Sequence, residues 1–155
     1  MFKKILIANR GEIAVRIIRA CKELNIKTVA IHSNVDTEAM HVKLADESIC
    51  IGSALPNKSY LNIANIISSI EITGADAVHP GYGFLSENDK FAKILSSHKV
   101  KFIGPSSKSI LELGNKSNAL ILANDFNLPI LGDKNSKDIN DTTEALRIAN
   151  EISMP

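Results

Sequence analysis

Short apolar runs recur through the first hundred residues, each followed by a polar turn and a stripe at helical spacing. Ile5-Leu6-Ile7-Ala8, Thr28-Val29-Ala30-Ile31, Ser48-Ile49-Cys50-Ile51, Ala75-Asp76-Ala77-Val78 and Val100-Lys101-Phe102-Ile103 read as five strands. The first two are apolar throughout rather than alternating, which suits strands covered on both faces of a parallel sheet. Between the first two, Ile13, Ile17, Cys21 and Leu24 predict a helix with those residues as its core stripe. Asn9 and Glu12 have capping-box spacing at its start, and Asn25 fits its end. Further helices are predicted over 38–44, over 60–72 ahead of Gly74, and over 89–98 with Phe91, Ile94 and Leu95 inward. Strand and helix thus alternate five times with short connections. That implies an α/β architecture: an open, mostly parallel sheet with helices on both faces.

Past Pro105 the pattern changes. Residues 106–113 and 116–125 read as two short helices separated by Gly114. Residues 128–131 read as a short extended piece and 132–140 as a polar loop. Asp141-Thr142-Thr143-Glu144 has capping-box spacing and opens a helix to about Ile152. Met154-Pro155 follows without enough chain for a second core, so a second domain is expected to begin here and be cut short.

The 155 residues allow one domain with a core and part of another. A hydrophobic content of 45% is that of a globular chain. Lys+Arg less Asp+Glu is 18 − 17 = +1. So small an excess argues against nucleic acid or an anionic membrane as the main partner. No apolar run is long enough to span a bilayer. Lys3-Lys4 before an apolar run resembles a signal peptide, but the run breaks at Asn9-Arg10-Gly11-Glu12 with no small-residue cleavage site. A first strand, and a cytoplasmic chain without a removable leader, are expected. Cys21 and Cys50 form no C-x-x-C and are expected to be buried thiols in a reducing compartment, with no metal site.

Three stretches could carry chemistry. Asn9-Arg10-Gly11-Glu12 joins a strand to a helix through a glycine, a place where phosphate can bind. The dinucleotide fingerprint needs three glycines, and only Gly11 is present; no acid stands at the tip of the second strand, His32-Ser33-Asn34. An ordinary helix cap is the better reading of Asn9 and Glu12, and Arg10 stays open between cap and site. Glu12, Arg16, Arg19 and Glu23 form a charged stripe with two i,i+4 pairs of opposite sign. It is either a solvated face or a polar subunit interface. The third stretch, His79-Pro80-Gly81-Tyr82-Gly83-Phe84-Leu85-Ser86-Glu87-Asn88, follows the fourth strand, where open α/β sheets place ligand crevices. Its glycines permit close approach of another group. It is either a loop with a helix cap, from Ser86 and Asp89 or from Asn88 alone, or one wall of an active site.

The wording of the sequence goes further than its pattern. IANRGEIAVRIIRACKEL, LADESICIG, SYLNIANII, HPGYGFLSEN and FIGPSS…LGNKSNA occur in order. Together they closely resemble the N-terminal region of biotin carboxylase, the ATP-dependent component of acetyl-CoA carboxylase, with related forms in pyruvate and propionyl-CoA carboxylases. The resemblance covers essentially the whole chain. It implies a Rossmann-like pre-ATP-grasp domain over 1–114 and the start of an ATP-grasp domain over 115–155. It also implies the reaction, in which ATP and Mg2+ convert bicarbonate to carboxyphosphate, and the carboxyl group passes to biotin on a carrier protein. By the same resemblance Lys116 is a contact to ATP, matching the lysine of the family's G-D-K, although Asn115 here replaces the aspartate. By the same resemblance Tyr82, Gly83 and Glu87 line the cleft near bicarbonate and biotin. Arg19 and Glu23 become interface residues of a homodimer. Biotin carboxyl carrier protein and carboxyltransferase are the implied partners, and fatty acid biosynthesis the setting. The family's glycine-rich loop, magnesium carboxylates, bicarbonate-binding residues and catalytic arginine lie beyond the position matching Pro155. No catalytic residue or metal ligand is therefore expected within this chain, which alone is expected to be inactive.

Three rivals remain at this point. One is another ATP-grasp ligase such as a carbamoyl-phosphate synthetase, which ammonia-dependent carbamate formation would favour. One is a nicotinamide-binding module, which tight NAD binding would revive. The last is a non-enzymatic association module, which a strictly monomeric chain would argue against.

Overall fold

A computed structural model describes residues 1–130 and 141–151. Residues Met1–Ile110 form one compact unit and Leu111–Pro155 a second.

In the first unit five strands, β1 (Lys4–Ile7), β2 (Lys27–Ser33), β3 (Glu47–Gly52), β4 (Ala77–His79) and β5 (Lys101–Phe102), make one sheet. Their order is β3-β2-β1-β4-β5, and every neighbouring pair is parallel. The chain builds outwards from β1 to β3, then returns to the other side of β1 for β4 and β5. The strand order therefore reverses between β1 and β4, and open sheets of this kind hold ligands outside the carboxyl ends at such a reversal.

The helices of this unit are α1 (Gly11–Glu23), α2 (Met40–Leu44), α3 (Ile63–Thr73), α4 (Asp89–Ser97) and α5 (Ser107–Leu113), the last running across the boundary between the units. Alternate residues of β1 feed two cores. Ile5 and Ile7 pack with Ala14, Ile17, Ile18 and Cys21 of α1 on one face. Leu6 joins Val29, Ile31, Ile66, Ile70, Val78, Phe91, Leu95 and Phe102 on the other, under α3 and α4. Both faces of β1 and β2 are thus covered, which is why those two strands lack alternation, whereas the edge strand β3 is largely exposed. Phe91, fully buried, meets Phe102 edge-on with ring centroids 6.1 Å apart.

Several boundaries differ from the pattern's expectation. The core stripe of α1 is Ala14, Ile17, Ile18 and Cys21. Leu24 falls in the C-cap, beyond the helix, and is exposed, while Ile13 sits at the margin. The second predicted helix begins only at Met40, after a single 3-10 turn at Asn34–Asp36. The third begins at Ile63, capped by Asn62, so Tyr60 lies outside it; it ends at Gly74 as the pattern predicts. Asn88 alone caps α4, accepting from the Phe91 N–H at 2.8 Å. Cys21 is buried, and burial pushes its thiol pKa up, but Cys50 on the edge strand β3 is exposed, correcting the expectation that both are buried.

The second unit contains α6 (Lys116–Asp125) and α7 (Thr142–Glu151). The Asp141 carboxylate accepts from the Thr143 N–H at 3.2 Å at the start of α7, as its capping spacing predicts. Residues 128–130 have no regular structure. The end of the predicted extended piece at Leu131, the polar loop over 132–140, the helix end at Ile152 and Met154-Pro155 lie outside the described residues. Among the described residues no helix is long and apolar enough to cross a membrane.

His41, on α2, is buried; its Nε2 lies 3.3 Å from the Ile31 carbonyl and its Nδ1 has no hydrogen-bond partner. Burial lowers its pKa, and does the same at His79. The unfolded chain, with histidine near the ordinary value of about 6.5, then binds more protons than the folded one as acidity rises. Stability should be full above about pH 6.5 and fall as the pH drops through that value. His41→Gln keeps a donor for Ile31 and removes one of the two titrating rings. Urea unfolding of this variant is expected to lose less stability between pH 7 and pH 5 than the unaltered chain.

Candidate functional site at the strand tips

The last bond of the β1–β4 ladder, Ala8 N–H to the His79 carbonyl at 2.9 Å, brings Asn9 alongside Pro80. Asn9 does not cap α1. That helix starts at Gly11 with Arg10 in the cap position and no side-chain cap bond. The Asn9 side chain is instead buried, and its Nδ2 donates to the Pro80 and Tyr82 carbonyls, both at 2.8 Å. Its Oδ1 accepts from the Arg10 N–H at 2.9 Å. Both amide protons go to the loop, and the oxygen turns to the Arg10 N–H ahead of the helix rather than to an N–H of α1. Glu12 is exposed, 3.6 Å from Arg16, rather than bonded back to the cap.

This bridge explains Gly81. Its φ is +64°, and a Cβ there would lie 2.6 Å from Asn9 Nδ2 and 2.7 Å from Ile13 Cγ2. Gly83 is also left-handed, at φ +70°, but a Cβ there would meet open space. His79 Nδ1 accepts from the Gly81 N–H at 3.1 Å, so the neutral ring carries its proton on Nε2. Burial, by lowering the His79 pKa, favours that neutral form.

A second set of contacts meets the loop from the β2 side. The Arg10 guanidinium pairs with Asp36 Oδ1. Asp36 Oδ2 accepts from the Ser33 and Tyr60 hydroxyls, both at 2.7 Å. Tyr60 oxygen in turn accepts from the Ser33 N–H at 3.0 Å. The Tyr60 ring stacks on Phe84, centroids 5.1 Å apart and planes 20° from parallel, and Arg10 Cζ lies 5.8 Å from the Tyr60 ring centre. Phe84 holds a left-handed φ of +41°, unusual for a side chain of that size. Burial by itself would raise the Asp36 pKa. The hydrogen bonds from Tyr60, Ser33 and Arg10 outweigh it and hold the carboxyl below the usual range. The same arrangement raises Arg10, chiefly through its bond to Asp36. Burial, and then the bond to Asp36, push Tyr60 up to about 12.

An acid does therefore stand near the tip of β2, three residues past the Ser33 where the strand ends. Its oxygens are already bonded by Arg10, Ser33 and Tyr60, so it does not present a free carboxylate to a ribose.

The sequence-predicted residues fall in three places. Tyr82, Gly83 and Glu87 are exposed on the loop that Asn9 anchors. Arg19 and Glu23 are exposed on the solvent face of α1. The stripe's ion pair forms between Glu12 and Arg16, and among the described residues not between Arg19 and Glu23. Lys116, exposed, opens α6 in the second unit. Asn115 Oδ1 accepts from the N–H groups of Ser117 and Asn118 at 2.9 and 3.2 Å. Asparagine caps as well as aspartate, so the local geometry at Lys116 does not depend on the missing charge. Sequence reasoning missed Asp36, Tyr60 and Phe84. Tyr60 was absorbed into a helical run, and no spacing rule ties an acid at 36 to an arginine at 10.

Fold and rim together define a parallel α/β domain with a built loop at its topological switch point. The domain family described as "Biotin carboxylase, N-terminal domain" matches residues 1–110, and the chain belongs to that family. Biotin carboxylase 1 of Bacillus subtilis (strain 168) is 50% identical over all 155 residues, which span 34% of that protein. The mitochondrial propionyl-CoA carboxylase alpha chain of Homo sapiens is 51% identical over 154 residues, 99% of this chain and 21% of that one. Among solved structures, the biotin carboxylase domain dimer of Hydrogenobacter thermophilus 2-oxoglutarate carboxylase, in complex with MgADP, ADP and bicarbonate, superposes with a TM-score of 0.90 at 46% identity. That match covers 100% of this chain and 34% of the other. The chain thus spans about a third, or less, of the relatives it matches. These likenesses favour biotin carboxylase over the carbamoyl-phosphate synthetase, nicotinamide-binding and association-module readings.

The two loop glycines should respond differently to a methyl group. Gly81→Ala combines a left-handed alanine with two close contacts and is expected to cost about 2–4 kcal/mol. Gly83→Ala meets only the backbone term, about 1–2 kcal/mol. Urea unfolding of the two variants checks the order.

Proposed function

We propose that this chain is the N-terminal part of a biotin carboxylase, with residues 1–114 as its pre-ATP-grasp domain and 115–155 as the start of its ATP-grasp domain. The enzyme uses ATP, with Mg2+, to turn bicarbonate into carboxyphosphate, and then carboxylates a biotin ureido nitrogen on a carrier protein, releasing phosphate. The observation that carries this reading is the match to the biotin carboxylase N-terminal domain over residues 1–110. The anchored loop at the switch point is consistent with it, since a carboxyl transfer needs a wall that keeps water from a short-lived intermediate.

In this reading Tyr82, Gly83 and Glu87 line the bicarbonate and biotin side of the cleft. Lys116 contacts the nucleotide as a point charge; its exposed position in the first turn of α6 suits an anionic ligand. Arg19 and Glu23 belong to a homodimer interface, a role supported by the dimer named for the 2-oxoglutarate carboxylase domain. Biotin carboxyl carrier protein and carboxyltransferase are the partners. The final acceptor is acetyl-CoA, which would place the enzyme in fatty acid biosynthesis. The 51% identity to propionyl-CoA carboxylase makes propionyl-CoA the second reading. The free, widely separated thiols suit a reducing compartment, the cytoplasm.

The isolated chain should show no bicarbonate-dependent ATP cleavage with free biotin, because the catalytic groups are supplied by polypeptide matching the rest of the relatives. A chimera in which it replaces the matching third of the Bacillus subtilis enzyme should carboxylate biotin. Lys116→Ala in that chimera is expected to raise the KM for ATP about tenfold or more. Turnover by the isolated chain, or an inactive chimera that binds ATP, would contradict the proposal.

A further inference from the structure

The exposed pair Tyr82-Gly83 is held between two anchors. On one side the buried Asn9 amide takes the Pro80 and Tyr82 carbonyls. On the other the Phe84 ring lies on Tyr60. Tyr60 does not float: its hydroxyl is fixed by Asp36 at 2.7 Å and by the Ser33 N–H at 3.0 Å. Asp36 is itself fixed by Arg10 and the Ser33 hydroxyl. Arg10 closes the circuit, because its backbone N–H donates to Asn9 Oδ1. One carboxylate beyond the tip of β2 thus joins the turn after β1 to the loop after β4.

We propose that Asp36 is a positioning residue for the Tyr82-Gly83 loop, acting through Arg10 and through the stack of Tyr60 on Phe84. The inference rests on the reading of that loop as lining the acceptor side of the cleft. Asp36 is mostly buried, with its side chain only 10% accessible, and three side chains already bond it, so it meets no substrate itself. Its work is to hold a non-glycine residue, Phe84, in a left-handed conformation that the chain alone disfavours. The Tyr60 hydroxyl is the joint. A ring without it could still stack, but nothing would set its height against Asp36.

The test has a structural arm and a kinetic arm. Amide hydrogen exchange is measured on the 155-residue chain and on Asp36→Asn, Tyr60→Phe and Phe84→Leu, with Glu38→Gln, on the exposed surface, as control. The reporter is the Ser86 N–H, bonded to the Gly83 carbonyl at 2.9 Å. It is expected to exchange at least tenfold faster in all three variants, with Val29 and Ile31 in β2 unchanged. Phe84 is at the surface, so Phe84→Leu decides the matter should Asp36→Asn fail to fold. In the chimera described above, Asp36→Asn and Phe84→Leu should raise the KM for free biotin about tenfold while the KM for ATP stays the same. An unchanged Ser86 in Phe84→Leu and Tyr60→Phe, or an equal acceleration at Ser86 and in β2, would overturn the proposal. So would a parallel rise of both KM values. A loop that loosens as expected beside an unaltered chimera that makes no carboxybiotin leaves the positioning role standing and removes the biotin carboxylase reading instead.

Discussion

A single buried amide fixes the rim of this domain. Asn9 leaves the end of β1 and donates both of its protons to backbone carbonyls of the loop after β4. A buried carbonyl left without a donor costs about 1–3 kcal/mol, so the bond to the Pro80 carbonyl is worth more than its neutral strength suggests, and the part-buried bond to Tyr82 adds to it. They also act at the one position where the strand order reverses, and where neighbouring loops diverge and leave a crevice. Gly81 is a consequence: the amide comes so close that a Cβ has no room. The exposed Tyr82 and Gly83 are a further consequence, because the loop is pulled in at Pro80 and Tyr82 and turns outward between them and Phe84.

The charged network beside it works by a different principle. In the Arg10–Asp36 pair a half-exposed guanidinium meets a mostly buried carboxylate, which gives up hydration on forming, so the pair adds little net stability. Its worth lies in geometry. Asp36 accepts from an arginine, a serine and a tyrosine that come from three separate stretches of chain, and each bond restricts the others. Full pairing holds the carboxyl ionised in spite of its burial, while burial and then the bond to Asp36 keep the Tyr60 phenol protonated far above neutral pH. The network is thus in one protonation state across the physiological range, as a fixed support needs to be. His79 differs. It accepts from Gly81 only while neutral, so the loop's first turn is sensitive to acid.

Much of this was legible in the sequence. The continuous apolar runs of β1 and β2 gave away a sheet covered on both faces, and HPGYGFLSEN stood out as a loop at a strand tip. Phe91 and Leu95 were read as core, and they are fully buried. What escaped was long-range. Asn9 looked like a cap because a capping box is a local spacing, while its real partners are over seventy residues away. Leu24 fitted the helical period but fell beyond the last turn, where period no longer decides burial. Tyr60 matched a helical run from 60 to 72, yet Asn62 caps that helix and leaves the tyrosine free to reach Asp36. Lys116 enters as a proposed nucleotide contact by resemblance alone; spacing would have left it as solvated surface.

The central claim is that the Asn9 amide, and not the capping of α1, sets the rim. Urea unfolding of Asn9→Ala measures it. With one buried and one part-buried loop carbonyl left unpaired, a loss of about 2–4 kcal/mol is expected. A loss of about 0.5 kcal/mol or less, the size expected of an inconsequential surface change, would contradict it.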